Sequence, residues 1–208
     1  MAEGRAAALR RELGEIDIYL FDQVLRGRFD GRARILDAGC GRGRNLVYLL
    51  QTGAEIFGID RDPAAIVQVR ALAAALQPEL PPENFRTGEI DALPWPDGDV
   101  DAVICSAVLH FASDPAHFGR MLDELWRVLQ PGGLFFARLA STIGLGDRVR
   151  VDARRRARLP DGTERFLVDE AFLDESTRRL GAVPLDPLKT TNVQNQRCMT
   201  TWVLQKTP

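Results

Sequence analysis

The chain has 208 residues, 45% of them hydrophobic and 27% charged, with a formal net charge of −2. These proportions suit one globular domain, residues 1–208, with a full core. The near-neutral balance argues against a sequence-independent nucleic-acid binder, which is normally strongly basic. Cys40, Cys105 and Cys198 lack CxxC spacing, so neither a disulfide framework nor a zinc site is indicated. The first residues, MAEGRAAALRRELGEID, carry charge throughout and contain no apolar core segment, unlike a signal peptide. No apolar run approaches the ~18 residues of a membrane span. A cytoplasmic protein with no membrane partner is the expectation.

In chain order, residues 1–30 form an N-terminal helical segment. Residues 3–13 read as a charged helix, and EIDIYLFDQVLR, residues 15–26, places Ile16, Tyr19, Leu20 and Val24 at helical spacing. A regular alternation follows. ARILDAG is a strand, RNLVYLLQTG a helix ending at Gly53, and EIFGID a second strand. DPAAIVQVRALAAAL is a helix with Pro63 near its start, where a missing N–H costs nothing. NFRTGEI and VDAVICSAV are further strands. PAHFGRMLDELWRVLQ is a helix expected to stop at Pro131-Gly132-Gly133, and GLFFARLA is a fifth strand.

Apolar strands alternating with helices imply an α/β fold, a doubly wound Rossmann-like sheet, mostly parallel and covered on both faces. The polar, basic stretch 141–165 breaks the pattern and reads as a lid loop. DEAFLDESTRRLG is a helix, and PLDPLKTTNV with RCMTTWVLQK forms a C-terminal antiparallel hairpin around QNQ. Open α/β sheets bind ligands beyond the carboxyl ends of their strands. That rule points to Asp37–Gly43, Asp60, Glu89–Ile90, Ser106–His110 and Arg138–Ser141.

The turn after the first strand, ILDAGCGRGRN, decides what is bound. A dinucleotide turn reads GxGxxG; here Gly39 and Gly41 match, but Arg44 holds the third position and Gly43 comes one residue early. A P-loop requires GxxxxGK[ST], and no lysine lies nearby. Both phosphate readings fail on spacing. An acid at Asp37 beside the turn favours a cationic group, and Asp60 at the end of the second strand is placed to accept from two ribose hydroxyls. A cation plus a ribose, without phosphate, describes S-adenosylmethionine.

With ILDAGCGRGRNLVYLL, EIFGIDRDP, TGEIDALPWPDGDVDAVICSAVLHF and LWRVLQPGGLFF in order over about residues 33 to 140, the chain resembles the class I S-adenosylmethionine-dependent methyltransferases. GRGRNLVYL is also similar to the tellurite-resistance methyltransferase branch. The resemblance implies a seven-stranded sheet and S-adenosylmethionine as cofactor, with S-adenosylhomocysteine as product. It also implies that Asp37 serves the methionine amino group, directly or through water, that the backbone of Gly39 and the Gly41–Gly43 turn packs against the cofactor, and that Cys40 and Gly41 belong to the same cofactor site. In the same way it assigns Asp60 to the ribose, Arg61 to stacking near the adenine, Glu89 to the adenine amino group and Ile90 to the ring. Ser106 falls beside the methyl group.

Each residue has a plainer reading. Arg44 and Asn45 suit helix capping, although Arg44 could meet an anion. His110 is the candidate general base, since its pKa suits proton removal near neutrality, or else a loop histidine bound to the backbone. His117 reads as a solvated helix residue, and Tyr19 and Trp95 as core with a possible cofactor contact. Cys40 is a small turn residue with no histidine to activate it. Arg154, Arg155, Arg156 and Arg158 form a solvated face or a lid that attracts an anionic acceptor. The density of Asn192, Gln194, Asn195, Gln196 and Arg197 suits a hairpin turn, oligomer contact or substrate selection.

The function expected is methyl transfer to a small-molecule acceptor, with an anionic one in view, by a monomer or a homodimer. An NAD-dependent oxidoreductase and a non-catalytic cofactor-binding module are the alternatives.

Overall fold

The computed structural model describes residues 4–208. The first residue of the expected 3–13 helix lies outside the described residues; the helix itself, α1, runs Arg5–Leu13. The elements that follow are α2 (Ile18–Leu25), β1 (Arg34–Ala38), α3 (Val47–Gln51), β2 (Glu55–Asp60), α4 (Pro63–Leu76), β3 (Phe85–Thr87) and β4 (Val100–Ser106). Then come α5 (Pro115–Val128), β5 (Leu129–Ser141), β6 (Arg156–Arg158), β7 (Glu164–Phe166), α6 (Glu170–Arg179), β8 (Val183–Pro184), β9 (Lys189–Val193) and β10 (Arg197–Gln205).

The main sheet has the order β3-β2-β1-β4-β5-β10, with β8 and β9 sharing the far edge of β10. β3, β2, β1, β4 and β5 pair in parallel, and β10 runs antiparallel to both β5 and β9. Counting β8 and β9 as one edge position gives seven positions, six running one way and β10 the other. Every central strand is buried on both faces, so successive residues enter opposite cores. Leu36, Val103, Phe135 and Trp202 face α5 and α6, while Ile35, Ala102, Phe136 and Val203 face α2, α3 and α4.

Several boundaries differ from the sequence expectation; of PLDPLKTTNV, for example, only Lys189–Val193 is the hairpin strand beside β10. The helix after β1 is only Val47–Gln51, because the chain from Gly43 spends its first residues in a turn. Pro131-Gly132-Gly133 does not terminate a helix. α5 ends at Val128, and the Pro-Gly-Gly segment forms an irregular opening of β5, with a register shift between Val100 and Ala102. Gly132, at φ +76°, donates its N–H to Lys206 O at 2.8 Å. Of NFRTGEI, only Phe85–Thr87 is strand.

The 141–165 stretch is a built substructure. A 3-10 turn at Gly146–Arg148 precedes the antiparallel β6–β7 hairpin. Leu145, Val149, Ala157 and Leu159 pack with Ala140, Leu167 and Cys198 into a small core of their own. A polar, arginine-rich composition hid four apolar side chains, which suffice to bury one face of a hairpin.

Candidate functional site

The glycine turn is pinned to the neighbouring strand: Gly39 and Cys40 both donate their N–H to Ile59 O, at 2.8 and 3.0 Å. The left-handed region is required at Gly39 (φ +78°), where a Cβ would lie 2.2 Å from Val108 Cγ2. Gly43 (φ +82°) similarly packs against Val69 and Leu72. The turn therefore approaches both β4's exit and α4 closely, and Gly41 N–H is left to donate to Asp60 Oδ2 at 2.8 Å. Asp60 Oδ1 accepts from Asp62 N–H at 3.0 Å.

Asp37 lies beneath this turn, 1% exposed, and neither carboxylate oxygen has a hydrogen-bond partner among the described residues. Burial pushes its pKa up to about 7, with Asp60 adding to the rise and Arg44 opposing it. An orphaned carboxylate at such a place is held against a large desolvation penalty. It fits a ligand that brings cationic donors to the turn. Cys40 is buried and its thiol is pushed up by burial and by Asp37 and Asp60, so it offers no thiolate nucleophile.

A cleft of about 390 Å³ opens at the strand exits. Gly39, Asp60, Arg61, Glu89, Ile90 and Ser106 line it together. Of the expected cofactor residues, these six converge on one cavity. Cys40 and Gly41 line the opposite side of the turn, and Asp37 is sealed below it. Arg61 and Glu89 are both exposed and pair at 3.2 Å. His117 also lines the cleft instead of standing in solvent: its Nδ1 accepts from Ser113 N–H at 3.1 Å, and its Nε2 lies 3.6 Å from Asp91. Trp95 is core, edge-on to Phe57 at 5.8 Å.

His110 sits in a 3-10 turn after β4, 6% exposed. Its Nδ1 accepts from Ala140 N–H at 3.3 Å, which leaves the proton of the neutral ring on Nε2. Burial lowers its pKa to about 4, and the charges of Arg165, Arg138 and Arg197 push the same way. A ring with an occupied Nδ1 and so low a pKa is a hydrogen-bond donor and a poor general base near neutrality.

Sequence reasoning missed Asp17, and it placed Arg138 at a strand exit without giving it a role. Asp17 caps α2 by accepting from Tyr19 N–H at 3.0 Å, and its own N–H donates to Asn45 Oδ1 at 3.0 Å. Asn45 is thus a buried tie between segments, not a cap for α3. Asp17 Oδ2 accepts from Arg138 Nη1 at 3.1 Å and from Ser106 Oγ at 3.4 Å, with Arg44 Nη2 3.8 Å away. Arg44 Nη2 also donates to Ser106 Oγ at 3.3 Å, and the Arg138 guanidinium lies 5.0 Å from the Tyr19 ring centroid. Tyr19 OH bonds Thr191 on β9. The only sequence signal was the helix-start pattern of Asp17 before IYLFDQVL; nothing local announced its second oxygen's role.

Two members of the arginine run, Arg155 and Arg156, brace the substructure, while Arg154 and Arg158 are exposed. Arg155 pairs with Asp169 at 2.6 Å and stacks on Phe172, and Arg156 binds Glu164 and Ala112 O, both at 2.8 Å. In the polar hairpin turn, two residues shape the bend and a third ties it down. Gln194 and Asn195 hold left-handed φ, and Asn192 binds Gly144 O at 2.9 Å.

No helix of the described residues is long and apolar enough to cross a membrane. A family model described as a methyltransferase domain matches residues 36–137. A probable S-adenosylmethionine-dependent methyltransferase of Mycolicibacterium smegmatis is 35% identical over 113 residues, 54% of this chain and 40% of that protein. The malonyl-[acyl-carrier protein] O-methyltransferase of Serratia marcescens is 33% identical over 142 residues, 68% of this chain and 48% of that protein. The chain spans about half the length of these curated relatives. The fold matches that of Burkholderia thailandensis 1,6-didemethyltoxoflavin-N1-methyltransferase, solved with S-adenosylhomocysteine, at a TM-score of 0.69 and 19% identity, covering 98% of this chain and 83% of that one. The chain belongs to the class I S-adenosylmethionine-dependent methyltransferases, whose cofactor is S-adenosylmethionine.

Proposed function

We propose that this chain moves the methyl group of S-adenosylmethionine to a small-molecule acceptor by in-line displacement. The observation that carries the reading is the orphaned, buried Asp37 carboxylate beneath a glycine turn whose other face meets the 390 Å³ cleft. When bound there, S-adenosylmethionine supplies an electrophilic methyl carbon on a positive sulfonium.

The chain's residues take complementary parts. Asp37 receives the amino group, directly or through water. Asp60, now satisfied by Gly41 N–H and Asp62 N–H, exchanges part of that bonding for ribose hydroxyls. Arg61 and Glu89 flank the adenine edge, and buried Ile90 covers the ring. Ser106, tethered by Arg44 and Asp17, stands at the β4 exit beside the transferred group. His110 keeps its Nε2 proton, so the protein contributes mainly by holding acceptor and methyl in line, an effect that supplies about 7–11 kcal/mol in well-oriented systems. The net charge of −2 supports a small molecule over a nucleic acid.

Calorimetric titration of S-adenosylmethionine, S-adenosylhomocysteine and NAD tests this. The two sulfur ligands are expected to bind and NAD is not. Asp60→Ala should weaken binding by about ten- to hundredfold through the lost acceptors. Binding of NAD alone would overturn the reading.

A further inference from the structure

A second cavity, of about 350 Å³, meets the cofactor cleft at Ala107 and Phe111, which line both. It lies beyond the exits of β4 and β5, roofed by the β6–β7 hairpin and by the turn end of β9–β10. Its size suits a small ligand. Ala107 takes φ +65°, an uncommon conformation for a residue with a Cβ, and such strain gathers at functional sites.

Its charge is unbalanced. Arg138, Arg165 and Arg197 line it, brought from three different strands, against one carboxylate, Asp161. Arg138 is answered from outside by Asp17 at 3.1 Å. Arg197 lies 3.7 Å from Asp161, whose Oδ1 is already taken by Thr163 N–H at 2.9 Å and Thr163 Oγ at 2.6 Å. Arg165 has no carboxylate within ion-pair distance among the described residues; it stacks on Phe111 at 4.9 Å and donates to Glu164 O at 2.8 Å. His110 adds a neutral N–H donor at the same wall, held neutral first by burial and then by the three guanidiniums. Leu159 and Met199 supply an apolar surface. Guanidiniums partly withdrawn from water favour a planar or tetrahedral oxyanion that accepts paired N–H donors.

We propose that this second cavity is the acceptor site and that it selects an acceptor bearing an oxyanion, carboxylate or phosphate, gripped by Arg165 and Arg197. The acceptor's apolar body lies on Leu159 and Met199, and its attacking atom is turned toward Ala107, where the two cavities meet. The oxyanion is a handle for recognition. This inference rests on the methyltransferase reading above.

The test uses protein saturated with S-adenosylhomocysteine and three probes that share one trifluoromethylphenyl body, followed by fluorine NMR: para-trifluoromethylbenzoate, para-trifluoromethylphenyl phosphate and, as the neutral isostere of the benzoate, para-trifluoromethylbenzamide. At least one anion should bind about tenfold tighter than the amide, and the tighter anion identifies the oxyanion. Arg165→Gln and Arg197→Gln should each weaken that anion by about ten- to hundredfold while leaving the amide unchanged. Arg165→Lys should recover part of the loss. Arg178→Gln, on the outer face of α6, should change nothing. Affinity for S-adenosylhomocysteine, measured by calorimetry, should be the same in every variant. Equal binding of anion and amide, no anion binding to the loaded protein, or indifference to both glutamine variants overturns the acceptor site and leaves the methyltransferase reading standing. Failure of S-adenosylhomocysteine to bind the parent overturns that reading and this inference with it.

Discussion

Two cavities meet at the end of β4, and they carry opposite charge. On the β1–β2 side, carboxylates dominate: Asp37 is sealed beneath the glycine turn and Asp60 lines the cleft. On the β5–β10 side, three guanidiniums face one carboxylate. Asp17 stands between them, sharing its Oδ2 among Ser106, Arg138 and Arg44. The first region is rigid backbone, with a turn that leaves no room for a side chain at Gly39 or Gly43. The second is a set of side chains converging from the hairpin and from distant strands. A cation is met by main-chain geometry and buried acids, an anion by long flexible bases. That contrast makes the two regions breakable in different ways.

The largest difference should appear in glycine substitutions. Gly39→Ala puts a Cβ into Val108 and forces a left-handed alanine. Together these should destabilise the protein by about 4 kcal/mol. Gly162→Ala, at the β6–β7 turn, also meets a left-handed φ, of +84°, but open space, so about 1 kcal/mol is expected. Urea unfolding of both variants checks this. Equal losses would mean that the turn around Gly39 yields as easily as a surface hairpin.

Next in size is Asp37. Burial raises its pKa from 3.8 to about 7 in the folded chain, with Asp60 adding to that and Arg44 opposing. A raised carboxyl pKa means that the folded state holds its proton longer than the unfolded state. The stability linked to it is therefore full below pH 4 and is lost as pH rises toward 7, by about 3–4 kcal/mol. In Asp37→Asn, unfolding midpoints at pH 5 and pH 8 should lie closer together than in the parent. A cationic ligand at the turn prefers the ionised form, so affinity for S-adenosylhomocysteine should rise from about pH 6 to about pH 8 in the parent and stay flatter in the variant. A pH-independent affinity in the parent would remove Asp37 from contact with the ligand's charge.

Asp17→Asn probes the joint between the regions. The cap to Tyr19 N–H survives, but Arg138 loses its counter-charge at 3.1 Å. Since Arg138 retains 19% side-chain exposure, about 2 kcal/mol of destabilisation is expected, less than for a fully buried pair. Thermal or urea unfolding measures it.

The same contrast explains what was legible in the sequence. Alternating strands and helices, the glycine turn and the acids at Asp37 and Asp60 are local signals, since periodicity and turn chemistry act over a few residues. The acceptor-side arginines are not. The strand-exit rule reaches Arg138 and the polar hairpin turn draws attention to Arg197, but Arg138 meets Asp17 across 121 positions, and nothing in composition separates Arg165 from Arg155 and Arg156, which serve as struts. Charge counting singled out the arginine run, whereas the arginines that face the cavity stand apart in sequence. Pro131-Gly132-Gly133 is the reverse case, a strong stop signal for a helix that had already ended at Val128. A breaker marks where a helix cannot continue, not where packing ends it.

The smallest effect is the most specific to the acceptor cavity. Asp161 is its only lining carboxylate, 14% exposed, and it lies 3.7 Å from Arg197. Asp161→Asn keeps an amide oxygen for the Thr163 contacts at 2.6 and 2.9 Å but removes the charge that competes with a bound anion. Because Arg197 is half exposed, solvent screens that competition, and the gain should be modest, about two- to fivefold in affinity for the tighter-binding anionic probe. The amide probe should not respond. The direction matters more than the size: in a cavity built for a neutral or cationic acceptor, removing Asp161 would leave anion affinity unchanged or raise amide and anion alike, while an oxyanion site must gain for the anion alone.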